Sequence, residues 1–146
     1  MSSVPLAYSI LAEWKLLCIR GVGVITQPER VQTLYAWMAD PGYPNCADAL
    51  CDFSQAESTP TMAELRELVN MMSHHLSGSG PKRLAMVTSK PITFAVAGEF
   101  KDFVARAAVP MEVQVFADFQ SAWKWLRPGK EPVAEPATTT VRPPRR

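Results

Sequence analysis

The chain has 146 residues, 47% hydrophobic and 20% charged, with a formal net charge of +1. That length holds one domain of ordinary size, and that apolar fraction excludes whole-chain disorder. The even charge balance lacks the basic excess of a nucleic-acid binder, and no apolar run approaches the roughly 20 residues that span a bilayer.

In chain order, Leu6–Leu11 and Leu16–Val22 are short apolar stretches separated by Ala12-Glu13, the pattern of an antiparallel hairpin. Thr26-Gln27-Pro28-Glu29 is a capping box with proline in the first turn. Behind it Val31, Leu34, Tyr35 and Met38 share one helical face. Asp40-Pro41-Gly42-Tyr43-Pro44-Asn45 stops that helix, and Ala47–Phe53 reads as a third strand. A second capping box, Thr61-Met62-Ala63-Glu64, starts a helix with Met62, Leu65, Leu68, Val69, Met72 and Leu76 inward, ended by Ser77-Gly78-Ser79-Gly80-Pro81. Leu84–Val87 is a fourth strand. Ser89–Ala108 reads as a third helix that buries Val96, Phe100, Phe103, Val104 and Ala107. Val113–Phe116 is a fifth strand, and Asp118 caps a last helix with Phe119, Ala122, Trp123 and Leu126 on one face.

The order β-β-α-β-α-β-α-β-α predicts a single α/β domain. Its five-stranded sheet is mainly parallel, with an antiparallel edge strand. From Pro128 to Arg146 the chain carries five of its 13 prolines, no aromatic residue and a net charge of +2. Proline removes a backbone donor and fixes φ, so the expected organisation is a domain over residues 1–127 and a disordered proline-rich tail over 128–146. The N-terminal sequence lacks the basic n-region and small-residue cleavage site of a signal peptide, and the expectation is a soluble, cytoplasmic protein.

Three cysteines are an odd number without a C-x-x-C pair, so no disulfide framework is expected. Cys18 and Cys51 read as buried strand residues and Cys46 as a more exposed one. His74 and His75 are adjacent, about 100° apart on a helix, and do not make a metal pair; a Cys51–His74 dyad needs a tertiary coincidence. Gly21-Val22-Gly23 lacks the third glycine of a dinucleotide fingerprint, and the capping box explains the turn more simply. No nucleophile–base pair, metal set or cofactor motif is legible, so the expectation is a non-enzymatic protein without a cofactor. Asp52 lies where open α/β sheets place ligands, although its plainer role is to order a loop by accepting N–H bonds. Asp48 reads as solvated, and Trp37 and Trp125 as partly exposed.

The strand end Leu50-Cys51-Asp52-Phe53-Ser54 resembles the l-D-x-S end of STAS domains. The closing Val115-Phe116-Ala117-Asp118, with Ala122 and Trp125-Leu126, is similar to the v-F-x-D…A…W-L ending of the SpoIIAA-like family, over about residues 6–127. These small bacterial proteins are related in fold to anti-sigma-factor antagonists and to CRAL-TRIO domains. The resemblance implies a regulatory module that binds a partner protein, a second copy of the chain included. The CRAL-TRIO relationship implies the alternative, a carrier of a small apolar molecule or lipid. The Asp-Ser-Ser-Gly turn of the antagonists, which presents a phosphorylatable serine, is absent. The corresponding loop, with Asp52, Ser54, Ser58, Thr59 and Thr61, and the nearby Ser89–Pro91 turn are the expected binding edge, Ser89 included.

Overall fold

The computed structural model describes residues 4–76 and 80–131. The expected tail therefore lies outside the described residues beyond Glu131, as do Ser77, Gly78 and Ser79 of the expected helix stop.

Strands β1 (Leu6–Leu11) and β2 (Leu16–Gly23) form the antiparallel hairpin, joined by a 3-10 turn at Ala12–Trp14 that closes with Lys15 in the left-handed region. Helix α1 (Gln27–Ala39) begins at Thr26, whose hydroxyl accepts from the Glu29 N–H at 3.3 Å while the Glu29 carboxylate accepts from the Thr26 N–H at 2.8 Å. Helix α2 (Met62–His75) repeats that box at Thr61 and Glu64. Strands β3 (Asp48–Ala56), β4 (Arg83–Val87) and β5 (Glu112–Phe116) complete the sheet, with α3 (Pro91–Arg106) between β4 and β5 and α4 (Phe119–Leu126) after it.

The strand order is β1-β2-β3-β4-β5, with every pair after the first parallel. In an order that never reverses, right-handed crossovers place α1, α2 and α3 on one face of the sheet. Alternate strand residues divide accordingly. Leu17, Ile19, Cys51, Leu84 and Met86 belong to the larger core under those helices. Leu16, Cys18, Leu50, Ala85 and Val87 belong to a smaller core with Ala122, Trp123 and Leu126 of α4. Trp14 meets Trp123 edge-on, ring centroids 5.2 Å apart, and closes that second core.

Several expectations about burial are corrected. On α1 the buried residues are Leu34 and Trp37, whereas Tyr35 is 48% exposed. The buried stripe is rotated because Trp37 packs at a tilt against Tyr43 of the following turn, ring centroids 5.3 Å apart, and Tyr35 instead meets His75 edge-on at 5.5 Å. The same turn encloses Cys46, 3% exposed, with its Sγ 3.5 Å from the Gly42 carbonyl. Met62, in the first turn of α2, is exposed, and Phe103 is only half-buried, flanked by the guanidiniums of Arg66 and Arg106.

Asp48 is the largest departure. It is 4% exposed and accepts from Arg83 Nε and Nη2, both at 3.1 Å, and from Arg127 Nη1 at 2.6 Å. The two guanidiniums also donate to the carbonyls of Trp125 and Leu126, the C-terminal end of α4, and Arg127 reaches the Trp14 carbonyl. This cluster pins α4 to the end of the sheet where β3 and β4 begin.

Candidate functional site

The opposite end of the sheet gathers the loops after β2, β3 and β4. Gly21 allows close approach: a Cβ there would lie 2.7 Å from Ile25 Cδ1 and 2.8 Å from Phe53 Cδ1. Gly23, at φ +73°, takes the left-handed turn that sends the chain into α1. The two glycines are thus accounted for by packing and a turn.

Strand β3 runs to Ala56, three residues beyond the expected end. Its register against β2 shifts from Arg20 opposite Asp52 to Val22 opposite Gln55, so β3 carries one extra residue, a bulge. Asp52, buried, orders that bulge: its Oδ1 accepts from the Ser54 N–H at 3.0 Å and from the Ser54 hydroxyl at 2.6 Å.

Beyond the bulge, Ser58 ties the loop to the start of α1. Its Oγ accepts from the Ile25 N–H at 2.8 Å and donates to the Ile25 carbonyl at 3.1 Å, while the Glu57 N–H donates to Gly23 O at 2.7 Å. From the third loop, Lys90 Nζ donates to Ala56 O at 2.7 Å. Thr93 donates to the Lys90 carbonyl at 3.0 Å, and its hydroxyl bonds that of buried Thr88.

The six sequence-expected residues fall into separate environments at this end. Asp52 and Ser54 bond each other, and Asp52 shares strand parity with Leu50, whose core is under α4. Ser58 and half-buried Thr59 lie on the other side, against the space beneath α1–α3. Thr61 is exposed and engaged in its capping box, and Ser89 is exposed beside Lys90.

Between the sheet and α1–α3 lies a cavity of about 170 Å³. Its walls are almost wholly apolar, among them Ile19, Trp37, Cys51, Met72, Met86, Ala97 and Phe100, with Ser58, Thr59 and Pro60 of the loop at one end.

The sequence reading missed a group of exposed apolar side chains at this same end: Val24, 64% exposed, after β2, and Ile92 and Phe94, 63% and 44% exposed, in the first turn of α3. Phe94 falls outside the helical face formed by Val96, Phe100 and Val104, and that leftover hydrophobicity was the available signal, whereas Ile92 continues the same row and is exposed in the first turn of α3.

Elsewhere, His74 and His75 are exposed, each with Nδ1 bonded to the carbonyl four residues earlier, Asn70 at 2.7 Å and Met71 at 2.8 Å. Cys51 is buried beneath the helices, so His74 and Cys51 do not share an environment. Burial pushes the Cys18 thiol up to about 12 and also raises Cys46 and Cys51 above the ordinary thiol range. Thiols so held stay protonated and are poor nucleophiles. Among the described residues no cluster of three or more His, Cys, Asp or Glu side chains is suited to a metal ion, and no helix is long and apolar enough to cross a membrane.

The family model described as SpoIIAA-like matches residues 16–127. The chain belongs to the SpoIIAA-like family. The match covers β2 through α4. No curated protein and no solved structure matches the chain.

Proposed function

We propose that this SpoIIAA-like domain is a non-enzymatic regulatory module that docks a partner protein on the loop end of its sheet. The observation that carries the proposal is the exposure of Val24, after β2, and of Ile92 and Phe94, in the first turn of α3, at an end of the sheet whose loops are tied by the Ser58–Ile25 and Lys90–Ala56 hydrogen bonds. Large apolar side chains left in water at one end of a domain are a mark of interaction sites. Asp52, Ser54, Ser58 and Thr61 serve this edge by shaping it, since their polar atoms are engaged in its bulge, latch and cap. Thr59 and Ser89 complete the proposed edge. The alternative, a carrier, has the apolar cavity on its side, and the volume fits a small molecule rather than a two-chain lipid.

The test places a photo-crosslinking residue at Ile92 in the native cell, identifies the captured protein, and titrates that protein against the purified domain. The double variant Ile92→Asp/Phe94→Asp should weaken binding at least tenfold with an unchanged melting temperature, because neither side chain is core. Equal affinity for the double variant would place the interface elsewhere.

A further inference from the structure

The cavity beneath the docking edge has a chemistry of its own. The hydroxyls of Thr88 and Thr93 bond each other, and Ser58 uses its hydroxyl as both donor and acceptor toward the Ile25 backbone. Arg30 lines the space, but its Nη1 is bonded to Gln27 Oε1 at 3.1 Å and lies 3.7 Å from Glu64 Oε1. The hydroxyls of Ser58, Thr88 and Thr93 are therefore committed to neighbouring protein atoms, and Thr33 and Thr59 add two more hydroxyls to the wall. Hydrocarbon and thioether surface remains, including Met72, Met86 and Met111, whose unbranched side chains adapt to a guest.

We propose that this cavity is a binding site for one compact, neutral, apolar molecule of about the size of a single aromatic ring. The volume sets the size: an apolar cavity of about 150 Å³ takes up benzene, and this one is about 170 Å³. The scarcity of charge in the wall sets the ligand's charge, because a carboxylate entering here loses its water and finds Arg30 already beside Gln27 and Glu64. The loop sets the route. Residues 57–61 belong to no helix or strand, Ser58, Thr59 and Pro60 form part of the wall, and the two Ser58–Ile25 hydrogen bonds tie that segment to the start of α1. This inference deepens the carrier alternative, rests on the cavity, and is independent of the docking proposal.

The experiment titrates the full chain with toluene, and separately with hexanoate, following methyl resonances by NMR together with the melting temperature. Toluene should give saturable, one-site shifts in the methyls of Ala97 and Met86 and raise the melting temperature, while hexanoate at equal concentration gives neither. Ala97→Leu fills the space and should weaken toluene at least tenfold. If that variant does not fold, Ala49→Val serves the same purpose from the sheet side. The Ser58→Ala variant should exchange toluene several-fold faster, and Ile92→Asp/Phe94→Asp should bind it like the parent, which separates this site from the docking surface. Absence of saturable shifts, toluene affinity unchanged in the folded filling variant, or hexanoate binding tighter than toluene would overturn the assignment of site and ligand. Unchanged exchange in Ser58→Ala would overturn the loop as the route of entry.

Discussion

Replacing Asp48 by alanine removes the one carboxylate that two guanidiniums share at the end of the sheet where β3 and β4 begin. Three charge-assisted hydrogen bonds disappear, at 3.1, 3.1 and 2.6 Å. Breaking a buried ion pair from one side costs about 3–5 kcal/mol, because the remaining charge is stranded. Here the stranding is partial. The Arg83 side chain is 34% exposed and regains water, and both arginines keep carbonyl partners in Trp125, Leu126 and Trp14. The lower end, about 3 kcal/mol, is therefore expected. For a chain of this length that corresponds to a fall in melting temperature of roughly 6–12 °C. Urea denaturation monitored by tryptophan fluorescence measures it directly, since Trp123 and Trp125 belong to the helix that the cluster pins. The companion Arg127→Ala variant completes a double-mutant cycle, with an expected coupling above about 1 kcal/mol. A loss below about 1 kcal/mol for Asp48→Ala at unchanged urea slope, or strict additivity in the cycle, would refute the clamp.

Three further outcomes follow from burial and from the end of the fold. The native protein at pH 8 should leave Cys18, Cys46 and Cys51 unlabelled by a thiol reagent for many minutes, with all three reacting in urea; rapid stoichiometric labelling of the native state would contradict their burial. Because the folded thiols titrate above their unfolded values, the unfolded chain releases protons first as pH rises. Their contribution to stability is thus fully present below about pH 8 and declines from about pH 9 upward, visible as a falling urea midpoint. Truncation after Glu131 should move the melting temperature by less than about 5 °C, since it retains the Lys130 carbonyl that accepts from Trp123 Nε1 at 3.3 Å. A larger drop would show that the proline-rich segment docks on the domain.

The features legible in the sequence are those decided within one turn or one strand. Both capping boxes form between residues three apart, so Thr26/Glu29 and Thr61/Glu64 appear in the structure as the spacing implies. Element order follows from apolar period, and strand–helix alternation leads to the parallel sheet through the handedness of crossovers. The loops expected to carry function do meet at one end, because the crossover helices follow strands that all point the same way. What tertiary structure alone decided involves partners distant in sequence. Asp48 is a buried ion-pair acceptor because Arg83 and Arg127, 35 and 79 residues away, converge on it. Trp37 and Cys46 are enclosed by the turn at Tyr43, whereas a helical wheel counts only spacing along α1. The cavity had no sequence signal, for it is the space left where three helices and a sheet fail to fill each other's surface. Local periodicity assigns a side chain to a face; only the assembled layers determine whether another atom meets it there.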